Sequence, residues 1–310
     1  MPFIQTVLGR ISPDELGVTY SHDHLLFTPP AAIAEKDPDL CLDSPEAAIQ
    51  ELGYFKVAGG QAIVEMTTVE LGRDPFALKA ISEKTSVHVI AATGYNKSKF
   101  CEAIVEEKTV EDITTEMVND LTQGMNGTDV LAGLIKSSSS KDEMTPGEEK
   151  VFQAAIRTHL ATGAPVSTHT EAGTFALKQI QMLTSGGIPP EKIVIGHLDR
   201  KLEWDYHKAV AATGVYMGFD QISKEKYWPD IDRINFIKNL VAEGHGHQIL
   251  LSGDWARKSY WPSYGTGFGP GLTYILWRFV PWMLDEGISQ DSIQAFLVEN
   301  PARAFSWATI

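Results

Sequence analysis

The chain has 310 residues, 43% of them hydrophobic, which is enough to build one large core. Its formal net charge of −14 argues against a general nucleic-acid surface, so an anionic ligand would need a local basic cluster. The two cysteines, Cys41 and Cys101, lack paired spacing, and no leader-like or bilayer-length apolar stretch is present. These features suit a cytoplasmic protein with no disulfide scaffold and no membrane partner.

In chain order, eight short apolar, β-branched-rich runs alternate with longer helix-compatible segments. The runs are residues 17–24, 62–67, 87–93, 131–136, 164–169, 192–197, 214–219 and 248–253. Continuous apolar strands separated by helices indicate a parallel sheet, and eight such units in about 250 residues predict an α/β fold, the closed (β/α)8 TIM barrel. The rival is an open doubly wound sheet, but no glycine-rich phosphate fingerprint follows any strand. Ser44-Pro45-Glu46 has the cap chemistry of a helix start, and Thr145-Pro146-Gly147-Glu148 starts a helix that runs to Gly163. Residues 285–296 read as the last barrel helix, and Asn300-Pro301-Ala302-Arg303 begins a short terminal one. No linker or repeat divides residues 1–310, which read as a single domain.

The first strand ends in His22-Asp23-His24. Alternate residues of a strand face one side, so both imidazoles would point at one spot. Alone, that motif is weak. Ligand types recur, however, at other strand C-termini: Lys136 on the fourth, His169 on the fifth, His197 on the sixth and Asp254 just after the eighth. Barrels of this kind place their active sites on that face. Each residue alone has a plain structural role open to it, such as a backbone partner for a histidine. Together, four histidines, a lysine and an aspartate from five strands point to a metal site. His245-Gly246-His247 has the same spacing but precedes the eighth strand, so it reads as a turn at the opposite end. His88 opens the third strand at that same end, and His159 and His207 fall in helices. An ammonium cannot ligate a metal, but a buried lysine beside cations loses its proton readily. Neutral Lys136 could then take up carbon dioxide and become a bridging carbamate.

The ordered set resembles the phosphotriesterase-like branch of the amidohydrolase superfamily. The matching stretches run from Thr19-Tyr20-Ser21-His22-Asp23-His24-Leu25 through Leu71-Gly72-Arg73-Asp74, Gly133-Leu134-Ile135-Lys136, Thr168-His169-Thr170, Ile195-Gly196-His197-Leu198-Asp199 and Ser252-Gly253-Asp254 to Asn300-Pro301-Ala302-Arg303. The resemblance implies one divalent metal on His22, His24 and Asp254 and a second on His169 and His197. A carbamylated Lys136 and a hydroxide would bridge them. Zinc suits these ligands, and manganese or cobalt could serve. Homodimers are common in the resembled family.

Three stretches are similar to the subgroup that hydrolyses phosphorylated sugar lactones: residues 169–174, 196–200 and 253–260. The resemblance then implies a lactonase in which the bridging hydroxide attacks the ester carbonyl and Asp254 shuttles the proton. Two departures are the bulky Trp255 beside that aspartate and the loop 261–270. Asp199 is a candidate partner of His197 or Asp254, with helix capping as the alternative. Glu65, in the otherwise apolar second strand, would orient a ligand imidazole. Lys224 and Lys226 follow the seventh strand, and Arg257, Lys258 and Tyr260 follow the eighth. A phosphate on a small anionic substrate would suit them, with a bidentate arginine contact, although a solvated loop would look the same. Asn96 and Lys97, after the third strand, would also reach the pocket. A second enzymatic possibility keeps the metals but takes an acyl-homoserine lactone or an organophosphate triester, using Trp228, Trp255, Trp261 and Phe268. A metal-containing barrel that only binds a ligand is the non-enzymatic one.

Overall fold

A computed structural model describes residues 2–265 and 269–308. A short antiparallel hairpin, β1 (Ile4–Thr6) and β2 (Gly9–Ile11), comes first. Eight parallel strands follow: β3 (Thr19–Asp23), β4 (Ala62–Glu65), β5 (His88–Gly94), β6 (Leu134–Ser139), β7 (Val166–Thr170), β8 (Ile193–Gly196), β9 (Tyr216–Phe219) and β10 (Ile249–Leu251). Each pairs with the next in sequence, with helices between, giving the nearly closed TIM barrel that the alternating pattern predicts. All eight runs read from the sequence are strands.

The seam between β3 and β10 is closed by individual bonds. Asp254 N donates to His22 O at 3.2 Å, Ser252 Oγ to His22 O at 2.7 Å, and Ser21 Oγ to Leu251 O at 3.1 Å. Asp23 faces this seam and accepts from Ser252 Oγ (2.8 Å) and Trp255 N (2.8 Å). Its two neighbours, His22 and His24, therefore face the other way, as strand alternation requires.

The barrel interior is apolar at its N-terminal end. Ala62, Val64, Ile90, Leu134, Val194, Tyr216 and Leu250 pack there, with Ile4 and Leu16 from the N-terminal segment and Phe305 from the C-terminal one. The hairpin floors the barrel: Val7 N donates to Val89 O at 2.9 Å. Trp307 completes the floor, with its N on Phe3 O and its Nε1 on Gly133 O, both at 2.9 Å. Two residues up from the apolar layer the side chains become polar. Leu134 is followed at that spacing by Lys136, and Leu250 by Ser252. Lys136 is thus the third residue of β6, not its last, because the serines beyond it continue the strand.

Ser44 caps the helix Pro45–Val57 through Ala47 N. Thr145 and Glu148 form a reciprocal capping box on Pro146–Thr162, which ends at Gly163 with φ 75°. The helix expected over residues 285–296 is not continuous. Gly287 (φ 88°) breaks the chain, and Ser289 caps a new helix. This helix runs from Gln290 through a π turn at Ala295–Glu299 directly into Asn300–Ala304, so the expected terminal helix is its continuation. A second π turn, Ile275–Phe279, precedes Pro281 as the first precedes Pro301. Each wide turn relieves the clash between a proline ring and the carbonyl four residues back. Among the described residues no helix is long and apolar enough to cross a membrane.

Glu148 ties this scaffold to the barrel mouth. Its buried carboxylate accepts from Ser98 N (2.9 Å), Ser140 N (3.0 Å), Ser140 Oγ (2.7 Å) and Thr145 N (2.9 Å). Glu148→Ala leaves the N–H groups of Ser98, Ser140 and Thr145 without their acceptor and should cost about 3 kcal/mol, lowering the thermal midpoint by about 4–6 °C. Glu148→Gln should fall between it and the wild type in the same melting experiment.

Candidate metal centre

The alternation that turns Asp23 into the seam turns His22 and His24 into the mouth of the barrel. His22 Nε2 lies 3.1 Å from Lys136 Nζ, and His24 Nε2 lies 3.4 Å from Asp254 Oδ1. The His197 ring is centred 4.5 Å from His22 and 4.4 Å from His169. The six residues expected at strand ends therefore meet in one place. Ligand atoms of His22, His24 and Asp254 lie within 4.8 Å of one another, and so do those of His22, His197 and Asp220. His197 and Asp254 reach it through left-handed backbones, φ 62° and 47°. Non-glycine residues pay about 1–2 kcal/mol for this, a strain typical of sites held in place by their surroundings.

Burial sets the protonation. It pushes the His22 imidazole down to about 3, with Lys136 and His197 adding to the effect. Burial, then His197, also holds His169 well below the usual histidine range. Burial brings Lys136 down to about 8, against the pull of Asp254 and Asp220. Asp254 goes the other way: against burial, the Lys224 ammonium holds its carboxyl well below the usual range. Neutral imidazoles and an ionised carboxylate are the forms that bind metal, so the donor set fits divalent cations.

Asp220 is the residue that the sequence did not reveal. It lies one position beyond β9, buried between two rings. Its Oδ1 is 2.6 Å from His197 Nδ1 and its Oδ2 is 3.3 Å from His22 Nδ1. Both oxygens also accept from His197 N at 3.0 Å. Against its burial, His197 and His22 keep its carboxyl well below the ordinary range. Two glycines make room for it. A Cβ on Gly218 would meet Asp220 Oδ2 at 2.9 Å, and one on Gly196 would meet Asp220 Oδ2 and His22 Nδ1, each at 3.2 Å. Counting by twos from inward-facing Tyr216 through Gly218 reaches Asp220, a signal that was present in the sequence.

Asp199 does not fill the place expected of it. Its carboxylate pairs with Arg233 Nε (2.8 Å) and accepts from Gln221 N (3.0 Å) and Asp220 N (3.3 Å). The left-handed turn at His197 carries it behind the strands, where it holds the backbone of Asp220 rather than touching a ligand. Glu65 acts through a relay: its Oε1 is 2.6 Å from Thr67 Oγ1, which is 2.8 Å from His24 Nδ1. Glu171, also not anticipated as a site residue, sits 3.0 Å from His169 Nε2 and pairs with Lys97 and Arg200.

The ligands floor a cavity of about 270 Å³. Its wall includes Asn96, Lys97, Lys99, Arg200, Lys226, Tyr227 and Tyr260. Lys224 reaches inward instead of outward. Its ammonium donates to Asp254 O (2.6 Å), Asp254 Oδ2 (2.9 Å) and Gln221 Oε1 (3.0 Å), so it is spent on Asp254 and Gln221, not open to a ligand. Arg257 lines the cavity with its fork already engaged by Asp37 (2.7 and 3.0 Å) and Asp39 (3.3 Å). Lys226 has no carboxylate partner among the described residues and lies over the rings of Tyr227 (5.0 Å) and Tyr260 (5.9 Å). Asn96 turns its Oδ1 back to Lys97 N. Trp255 does not narrow the cavity. It is fully buried behind it, with Nε1 on Ser223 Oγ at 2.9 Å. His245 and His247 lie at the far end, around the turn before β10, as expected.

The model of the Phosphotriesterase family matches residues 2–305. A phospho-furanose lactonase of Mycoplasmopsis synoviae is 34% identical, covering 98% of this chain and 92% of its own. An N-acetyltaurine hydrolase of Xenopus tropicalis is 33% identical, covering 99% and 97%. The crystal structure of a lactonase from Listeria monocytogenes superposes with a TM-score of 0.94 at 40% identity, covering 99% of this chain and all of that one.

Asp220→Asn keeps the size of the side chain but removes the charge shared by His22 and His197. Metal affinity, read by competition with a chromogenic chelator, should fall about 10- to 100-fold with the circular-dichroism spectrum unchanged.

Proposed function

The chain belongs to the phosphotriesterase family and is a hydrolase, and from that premise we propose that it is a metal-dependent lactonase opening small phosphorylated sugar lactones. The observation that carries the substrate class is the charge of the cavity wall. Lys97, Lys99, Arg200, Lys226 and Arg257 line it in a protein of net charge −14, while the only lining carboxylates among the described residues are Glu171 and Asp254. A wall so unlike the rest of the surface suits an anion. Lys226 with the Tyr260 hydroxyl is the phosphate anchor. Arg257 contributes only as Asp37 and Asp39 release it.

The three tryptophans expected to serve a neutral substrate are elsewhere, although Phe27 and Phe100 do line the cavity. Trp255 and Trp261 are buried, Trp228 turns its Nε1 to Arg200 O, and none of the three lines the cavity. Phe268 lies outside the described residues. The acyl-homoserine and organophosphate alternative therefore has less support.

His22, His24 and Asp254 would hold one cation and His169 and His197 the other, with carbamylated Lys136 between them. Zinc fits the imidazole-rich set, as manganese or cobalt would. When bound, the cations lower the pKa of an attacking water and polarise the lactone carbonyl. Asp254 is the proton carrier. Lys224 and Gln221 (Nε2 to Oδ2, 2.7 Å) fix the direction of its carboxylate. It takes the proton released by the nucleophile and gives it to the ring oxygen as the acyl C–O bond breaks.

Purified protein should carry about two divalent metals per chain and open 5-phosphorylated lactones at least about 100-fold faster than their unphosphorylated counterparts. Lys226→Ala should lower kcat/KM for the phosphorylated substrate about 10- to 100-fold and leave neutral lactones unaffected. Preference for neutral lactones, or for an N-acyl aminosulfonate such as N-acetyltaurine, would overturn the substrate assignment. Asp254→Asn should abolish turnover; full activity with metal retained would refute the chemistry.

A further inference from the structure

The segment after β3 is closed at its base and gripped at its tip. At the base, Phe27 N donates to Leu42 O at 2.9 Å and Leu42 N to Phe27 O at 2.7 Å, so residues 28–41 form a loop with joined ends. At the tip, the turn Pro38–Leu40 lies against the turn Lys258–Tyr260 after β10. Three aspartates make the junction. Asp43 pairs with Lys258 at 2.9 Å, and Asp39 accepts from Ser259 N at 2.8 Å and Ser259 Oγ at 2.7 Å. Asp37 accepts from both arms of Arg257. Leu40 and Arg257 both line the cavity, so this junction is part of its rim.

The two carboxylates on Arg257 are not equivalent. Asp39 is anchored twice by Ser259 and meets Arg257 Nη1 only at 3.3 Å. Asp37 makes the shorter, two-point contact, Oδ2 with Nη2 at 2.7 Å and Oδ1 with Nη1 at 3.0 Å. Among the described residues, Arg257 is the one side chain to which the Asp37 carboxylate is bonded. Asp37 also stands at the N-cap position of Pro38–Leu40, where an aspartate ordinarily caps, yet its side chain makes no cap bond. The carboxylate therefore has a second place to go. All three side chains are part-exposed, and ion pairs in that setting yield readily to a competing charge.

We propose that Asp37 is a specificity-determining residue: it fills the guanidinium fork of Arg257 in place of the substrate's anion and yields it to a phosphate dianion but not to a carboxylate. The inference rests on the phosphorylated-lactone reading above. A substrate carboxylate that displaces Asp37 replaces like with like and gains nothing at Arg257. A phosphate dianion brings a second charge and a third oxygen, which Lys226 and Tyr260 on the same wall can share. Once displaced, Asp37 turns back to cap Pro38–Leu40. Asp39 gives up only its long contact and keeps Ser259, so the turn that follows Arg257 stays in place. The wall thus discriminates among anions instead of merely attracting them.

The test is steady-state kinetics on three lactones of one ring, carrying a 5-phosphate, a carboxylate in its place, or neither. Asp37→Asn should lower KM for the phosphorylated lactone about three- to tenfold, with the effect in KM and not in kcat. It should raise kcat/KM for the carboxylate lactone further, so that discrimination between the two anions falls about tenfold. Asp37→Glu, which returns the charge, should restore most of the discrimination. Asp39→Ala should act in the opposite direction, raising KM for the phosphorylated lactone because Ser259 loses its acceptor. An Asp37→Asn enzyme with unchanged discrimination, or with a raised KM, would overturn the proposal while the wild-type preference for phosphate still stood, and would mark Asp37 as a support of the loop alone. Wild-type enzyme that does not prefer the phosphorylated lactone would overturn it together with the substrate reading.

Discussion

A single buried carboxylate facing two imidazoles holds the centre together. Asp220 comes from the seventh barrel strand, His197 from the sixth and His22 from the first. The aspartate therefore spans the seam at which the barrel must close. Burying such a group is costly unless all its hydrogen-bonding capacity is met. Here it accepts from the ring and the backbone N–H of His197, with the His22 ring 3.3 Å away. Behind it, Asp199 and Arg233 fix the backbone from which it extends. Gly196 and Gly218 leave the space. Together these contacts fix the positions of two imidazoles that would hold cations.

The mouth follows a different electrostatic rule from the floor. At the floor, charge on these groups is suppressed: burial keeps the His22 and His169 imidazoles neutral and draws the lysine toward its free amine. At the mouth, charge is plentiful but mostly paired. Lys224 is paired with Asp254, Arg257 with Asp37 and Asp39, and Lys97 and Arg200 with Glu171. The excess that remains is small and local, centred on Lys226 and Lys99. A few unpaired cations in a low-dielectric wall attract an anion more selectively than a broad basic face.

Much of this was legible because strands announce themselves twice, by apolar runs and by the residue type at their ends. Strand parity paired His22 with His24, and position at strand C-termini picked out Lys136, His169, His197 and Asp254 without any three-dimensional information. Parity would also have located Asp220, but the seventh apolar run stops at Phe219 and an aspartate after a strand is ordinary. Asp199 was misassigned for a physical reason. The left-handed backbone at His197 reverses the side-chain direction expected from simple spacing, and Arg233, its partner, is 34 positions away. Lys224 and Arg257 were identified as cations on the correct face, but sequence proximity cannot show which carboxylates neutralise them. The hairpin β1–β2 has strands of three residues, too short for a periodic signal. The final helix was split wrongly because Gly287 ends one helix inside a stretch whose apolar pattern continues across it.

The floor and the seam join the ends of the chain. Phe3 and Leu16 wait for Phe305 and Trp307, and His22 waits for Ser252 and Asp254. During synthesis on the ribosome, at about 5–20 residues per second, the first strand is made many seconds before its last partner emerges. Until then the inner apolar layer is an open sheet with an unpaired edge, and half of the ligand set faces solvent. On the proposed ligand set, a nascent chain stalled before residue 254 has every histidine of the centre but lacks the aspartate that completes it.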